Sequence, residues 1–135
     1  MGNPCANTQK PTILAVDDDE DNLLLLAYIL EPFDCCLLTA SDGLTALHRA
    51  QSCHPDLIFL DILMPRMDGI AVLAELRNNP KTKTIPVVAV TALAKAGDRE
   101  WLLQAGCNEY LSKPYLVEDV EGLVQRYLRL PVSIS

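Results

Sequence analysis

The chain has 135 residues, half of them apolar, 5% aromatic and 21% charged, and a formal net charge of −7. That length suits one domain with a substantial core and leaves no room for a second, while the apolar fraction excludes an intrinsically disordered chain. The negative balance repels polyanions, so direct binding to a nucleic-acid backbone is not expected, whereas a bound cation is.

In chain order, residues 1–11 (MGNPCANTQKP) hold two prolines and no periodic pattern, and read as a loose tail. A short apolar run, Ile13 to Val16, reads as the first strand and leads into Asp17-Asp18-Asp19-Glu20-Asp21. The first helix is expected over about Asn22 to Leu30, and Leu23 to Leu30 are eight consecutive apolar residues. Strand-helix pairs then repeat: Cys35 to Thr39 with Gly43 to Ser52, Leu57 to Leu60 with Gly69 to Asn78, and Val87 to Val90 with Ala94 to Ala105. The last pair is Glu109 to Leu111 with Val117 to Leu130, and Pro131 to Ser135 form a short tail.

Runs such as LIFL and VVAV lack alternation, which suits strands covered by helices on both faces. Repeating strand-helix units imply right-handed crossovers and a parallel sheet, hence a doubly wound α/β domain over 12–130. No linker to an output domain is visible, so the natural chain is expected to work alone.

No stretch approaches the ~18 apolar residues of a membrane helix, and the N-terminus has no apolar signal region, so a cytoplasmic protein without membrane contact is expected. The five cysteines, Cys5, Cys35, Cys36, Cys53 and Cys107, are odd in number and contain no CxxC pair. Free thiols in a reducing compartment are the expectation, with Cys5 the most exposed candidate for redox sensing. The two histidines, His48 and His54, lie in or just after the second helix, far along the chain from the acidic run, and are expected at the surface.

Ligands of open parallel sheets sit beyond the carboxyl ends of the strands. The first strand runs into Asp17 and Asp18, the third ends on Asp61, the fourth on Thr91, and Lys113 follows the fifth, so all reach the same edge. Taken singly, each has a plain structural explanation. Asp19 to Asp21 suit a solvated helix N-terminus, Thr91 is a β-branched strand residue and Lys113 a surface cation. Asp61 is different, because a carboxylate closing an apolar run is costly without a partner. Carboxylates crowded at one edge raise each other's pKa unless a hard cation neutralises them, and Mg²⁺ takes one or two carboxylates and phosphoryl oxygens readily.

Four ordered segments, AVDD at 15–18, PDLIFLDILMPRMDG at 55–69, VVAVTA at 87–92 and EYLSKP at 109–114, resemble the response-regulator receiver family of two-component signalling, over Thr12 to about Leu130. The resemblance implies a flavodoxin-like five-stranded sheet in the order 2-1-3-4-5. It implies Asp61 as phosphoacceptor, Asp18 as the principal metal carboxylate, Asp17 holding the metal's water shell, and Leu63 contributing a backbone carbonyl to Mg²⁺ or another divalent ion such as Mn²⁺. Thr91 would hydrogen-bond a phosphoryl oxygen, Lys113 would pair with the phosphate, Tyr110 matches the aromatic switch position, and Pro114 matches a cis-proline. The implied partners are a sensor histidine kinase or histidine phosphotransfer protein and a downstream protein target. The implied readout surface is helix four, strand five and helix five, in a signalling domain that catalyses only its own phosphorylation and slow dephosphorylation.

Some positions depart from the family's pattern. Leu63 and Leu93 stand two residues beyond Asp61 and Thr91, where many relatives carry polar side chains that position water. Leu116 stands where a helix cap is common, and Gly122 interrupts the last helix at roughly 1 kcal/mol relative to alanine, so a loosely started final helix is expected. An EF-hand fails because Asn22 and Tyr28 occupy the glycine and glutamate positions. A haloacid-dehalogenase-like phosphatase would need Thr or Val at Asp21, and a pseudo-receiver would lack acidic and basic residues that this chain has. The first helix carries more apolar side chains than one core-facing stripe requires. Either a partner helix covers the excess, or helix five and the tail do.

Overall fold

The computed structural model describes residues 10–64, 67–92 and 98–128. Along the chain run β1 (Thr12–Val16), α1 (Glu20–Leu30), β2 (Cys36–Ala40), α2 (Gly43–Cys53) and β3 (Leu57–Asp61), then two short strands, β4 (Leu63–Met64) and β5 (Met67–Asp68). They are followed by α3 (Gly69–Asn78), β6 (Val87–Thr91), α4 (Asp98–Ala105), β7 (Glu109–Ser112) and α5 (Val117–Leu128). The five parallel strands lie in the order β2-β1-β3-β6-β7, which counted along the chain is 2-1-3-4-5, the flavodoxin-like order expected. β4 and β5 form a separate antiparallel hairpin that the sequence had not signalled, because LMPRMDG has neither alternation nor an apolar run.

Strand side chains alternate between faces, and each face therefore has its own core. Leu14 and Val16 of β1, Ile58 and Leu60 of β3, and Val87 and Ala89 of β6 pack with Ala46 and Ala50 of α2, Val72, Leu73 and Leu76 of α3, and Leu102 of α4. The intervening Ile13 and Ala15, Leu57 and Phe59, and Val88 and Val90 pack with Leu23, Leu26, Ile29 and Leu30 of α1 and Val120, Leu123 and Val124 of α5. β1, β3 and β6 are buried along their whole length, as their unbroken apolar runs required. Each such leucine, isoleucine or valine contributes about 1.5–3 kcal/mol of transfer free energy.

Local capping explains where the helices begin. The carboxylate of Asp19 accepts the backbone N–H of Asp21 at 2.9 Å, so α1 starts at Glu20, two residues earlier than the apolar pattern suggested. Asp42 and Asp68 cap α2 and α3 in the same manner, through the N–H groups of Thr45 and Ile70. The loose start expected of α5 is not found: the side chain of Asp119 reaches back to accept the N–H of Leu116 at 3.0 Å, half of a capping box in which the residue three places on replaces the missing cap. Cys35 lies in the turn before β2, its N–H donating to the Phe33 carbonyl, which shifts that strand one residue along.

Arg77 at the end of α3 fastens the opposite edge of the sheet. Its guanidinium donates to the carbonyls of Gly106, Lys83 and Ile85 and to Oδ1 of Asn108, at 2.8–3.1 Å. Gly106 sits at φ +118°, and a Cβ there would lie 3.0 Å from the Arg77 side chain, so both conformation and space call for glycine.

One expectation about the cysteines is overturned. Cys35, Cys53 and Cys107 are free thiols, but Cys36 is disulfide-bonded. Cys36 opens the edge strand β2, and its N–H donates to the Pro11 carbonyl at 2.8 Å, drawing the chain that precedes β1 alongside it. Spacing along the sequence carries no sign of that approach. Cys5 lies outside the described residues. His48 and His54 are exposed, and no described helix is long and apolar enough to cross a membrane.

Candidate phosphoacceptor site

β1, β3, β6 and β7 deliver their carboxyl ends to one place. Asp17 follows β1 directly and its N–H donates to the Ala40 carbonyl of β2 at 3.0 Å. Asp61 closes β3 and pairs in register with Val90, and Thr91 closes β6 opposite Ser112 of β7. The Lys113 N–H donates to the Thr91 carbonyl at 2.8 Å, which continues the β6–β7 pairing by one residue and turns the lysine toward Asp61. The Lys113–Pro114 peptide is cis.

Asp17 and Asp61 are each only 4% exposed, and Thr91 is fully buried. Asp18 is half-buried beside them, and one carboxylate oxygen of each of Asp17, Asp18 and Asp61 lies within 4.8 Å of the others. Three acidic groups this close repel one another, and among the described residues Lys113 is the cation that sits beside them. Lys113 Nζ is 3.1 Å from Asp61 Oδ2 and 3.4 Å from Asp17 Oδ2. Burial alone would push the Lys113 pKa down, but the hydrogen bond and charge of Asp61, followed by those of Asp17, reverse this and hold it above the ordinary lysine value. Asp17 is further fixed by accepting the N–H of Asp19 at 3.0 Å.

The donors of the cluster are hard carboxylate oxygens. This is the set a small divalent cation such as Mg²⁺ takes, and a poor one for softer transition metals.

Two features of the site lay beyond the sequence reading. Gly69, where the β4–β5 hairpin turns into α3, approaches the backbone of the site so closely that a Cβ would meet the Asp61 carbonyl oxygen at 2.5 Å and Ile62 Cα at 2.6 Å. Tyr115 is half-buried near the lysine; burial pushes its hydroxyl pKa up, with Lys113 opposing and Asp17 and Asp61 adding to the rise. The MDG triplet hinted at the first as a turn, and nothing hinted at the second.

Leu63 is placed in β4, two residues past Asp61, paired with Asp68; its side chain and the whole of Leu93 fall outside the described residues. Tyr110 is not at the acidic cluster. It sits in β7 opposite Ala89, half-buried against the core on the α2–α4 side, and borders a cavity of about 560 Å³ lined by Arg99 of α4, Glu109 of β7, and Glu118 and Arg126 of α5.

A family model for the response regulator receiver domain matches residues 13–125. The chain belongs to this family. Among curated receivers it is 37% identical over 117 residues to the polar-differentiation response regulator DivK of Brucella ovis, covering 87% of this chain and 95% of that protein. It is 41% identical over 116 residues to part of the signal transduction histidine-protein kinase BarA of Shigella flexneri, covering 86% of this chain but 13% of the kinase.

Solved receivers superpose closely. The receiver domain of the sensor histidine kinase PA1611 from Pseudomonas aeruginosa, determined with a magnesium ion coordinated in its active site cleft, gives a TM-score of 0.80 at 32% identity over 89% of this chain and 98% of that one. A two-component response regulator from Clostridium difficile gives 0.80 at 30% identity, over 89% and 97%. Receivers of this family are phosphoacceptor signalling domains, and this chain is one of them.

Proposed function

We propose that this receiver accepts a phosphoryl group on Asp61 from the phosphohistidine of a sensor kinase or phosphotransfer protein, works as a stand-alone cytoplasmic regulator, and signals to a downstream protein. The observation that carries the reading is the buried cluster of Asp17, Asp18 and Asp61, with Lys113 Nζ 3.1 Å from the Asp61 carboxylate. The full-length match to DivK supports the stand-alone reading, and the magnesium-bound relative supports the choice of ion.

Asp18 and Asp61, with the Leu63 carbonyl and a water shell held by Asp17, would hold Mg²⁺ or Mn²⁺. When bound there, the ion neutralises charge on the phosphoryl oxygens. A carboxylate oxygen of Asp61 attacks phosphorus, the new O–P bond forms as the N–P bond breaks, and the electron pair leaves with the imidazole nitrogen. Lys113, already drawn to Asp61, exchanges its carboxylate partner for a phosphoryl oxygen, and the Thr91 hydroxyl donates to another. Thr91 and Tyr110 lie on adjacent strands, so movement of the threonine toward the phosphate opens space for the ring to turn inward. That shifts a balance between two arrangements of the α4–β7–α5 surface.

Intact mass after incubation with acetyl phosphate and Mg²⁺ tests the assignment. One phosphoryl group is expected on the wild type, none on Asp61→Asn, and none on the wild type in excess chelator. Wild-type labelling of Asp61→Asn would overturn it.

A further inference from the structure

The disulfide at Cys36 is a feature that the phosphoacceptor chemistry leaves unused. Cys36 opens the edge strand β2 and is half-buried, packed against the core on the α2 side. The chain has five cysteines. Cys35, Cys53 and Cys107 are free thiols, although Cys35 is the neighbour of Cys36 in sequence and Cys53 packs against the same core. Within this chain the cysteine left to bond with Cys36 is Cys5, which lies outside the described residues. The chain that leads back toward Cys5 already runs beside Cys36. The Pro11 carbonyl accepts the Cys36 N–H at 2.8 Å, and Lys10 Nζ is 3.2 Å from Oδ1 of Asp34 in the turn before β2.

We propose that Cys5 and Cys36 form a reversible thiol switch, whose oxidised state straps residues 1–9 to the start of β2 and whose reduced state releases them. The co-reactants are, by class, a dithiol reductant and a disulfide oxidant such as glutathione disulfide. A reductant thiolate attacks one sulfur of the pair, the S–S bond breaks, and the leaving sulfur takes a proton. The second reductant thiol then resolves the mixed disulfide, so two electrons and two protons pass to Cys5 and Cys36 while the dithiol becomes a disulfide. Oxidation by glutathione disulfide is the reverse exchange and ends in two molecules of glutathione.

Reversibility is argued from the surroundings of Cys36. It stands half-buried on an edge strand, where a thiol reaches it without unfolding the sheet. A disulfide in a reducing compartment is usually transient and redox-sensing; this step alone rests on the cytoplasmic reading. The Lys10–Asp34 pair is exposed on both sides, at 54% and 73%, and such pairs stabilise little, so the covalent link decides whether the strap is held. Cys35 does not short-circuit the bond beside it. Burial first, and the charge of Asp34 next, push its thiol pKa up against the opposing effect of Lys10, which leaves little thiolate to attack a neighbouring sulfur. The switch also lies apart from the phosphoacceptor: β2 runs roughly 13 Å from Cys36 to Ala40, whose carbonyl meets the Asp17 N–H at the acidic edge.

The test counts thiols on the full chain by alkylation with N-ethylmaleimide in denaturant, read by intact mass, after treatment with glutathione disulfide and again after dithiothreitol. Three adducts are expected on the oxidised wild type and five on the reduced. Cys5→Ser and Cys36→Ser should each show the same count in both states, while Cys53→Ser keeps the difference between them. Dithiothreitol should open the bond in the native chain and lower the melting temperature of the wild type by about 10 °C, with no shift in Cys5→Ser, and glutathione disulfide should restore both readings. Five adducts on the oxidised wild type, a difference retained in Cys5→Ser, a glutathione adduct in place of the pair, or a disulfide-linked dimer would each overturn the pairing. A bond that opens only in denaturant would overturn the switch. Acetyl phosphate labelling should be equal in the two states; its absence from both would overturn the receiver mechanism and leave the thiol count as it stands.

Discussion

At the scale of single residues, the described part of the site is governed by Lys113 beside three carboxylates. Lys113 satisfies Asp61 and Asp17 at 3.1 and 3.4 Å and so occupies electrostatically the space that a divalent ion also favours. Lys113→Met keeps the stem and removes the charge. It should therefore bind Mg²⁺ more tightly than the wild type by calorimetry, yet label more slowly with acetyl phosphate, since the phosphoryl oxygens lose a counter-charge. Equal Mg²⁺ affinity would show that the lysine and the ion do not compete. A second prediction concerns the lifetime of the product. Leucine at 63 and 93 cannot orient water for in-line attack, so a Leu63→Asn, Leu93→Glu double variant should lose its phosphoryl group several-fold faster than the wild type in a mass-spectrometric time course. Unchanged decay would exclude control by these side chains.

At the scale of elements, α1 is the informative helix. Its buried residues, Leu23, Leu26, Ile29 and Leu30, follow helical spacing, while Leu24, Leu25 and Tyr28 are 67%, 47% and 75% exposed. Neither α5 nor the described chain covers them, although α5 does pack against α1. Leu25→Asp should leave labelling by acetyl phosphate unchanged and slow labelling by a phosphorylated histidine phosphotransfer domain by about tenfold or more, because only the second reaction needs a docked helix. Equal slowing of both would point to damage in the fold. α5 offers a cleaner energetic test. Gly122 is exposed in its middle, and a Cβ there would meet nothing within 4 Å. Gly122→Ala should raise stability by about 1 kcal/mol in urea unfolding, with no effect on Asp61.

For the whole molecule, stability and function meet at the acidic edge. Asp17 and Asp61 are buried as like charges, so an ion that binds the folded chain and not the unfolded one stabilises it by mass action. At a hundredfold excess over the dissociation constant this is about 2.7 kcal/mol. Added Mg²⁺ should thus raise the melting temperature of the wild type and raise that of Asp61→Asn much less. An equal shift in both would place the ion elsewhere.

The primary structure was enough for the α/β class and for the clustering of Asp17, Asp18, Asp61, Thr91 and Lys113 at one edge, while the sheet order came only through the resemblance to receivers. Unbroken apolar runs require strands buried on both faces, and parallel strands bring their carboxyl ends together whatever the details between them. Capping and proximity were less legible. The start of α5 depends on Asp119 reaching back to Leu116, and the disulfide at Cys36 has no counterpart in the spacing of the cysteines along the chain. The need for glycine at 69 depends on the Asp61 carbonyl being 2.5 Å from an absent Cβ. Such contacts join residues whose separation in space is set by the packing of whole elements, so only the tertiary structure decided them.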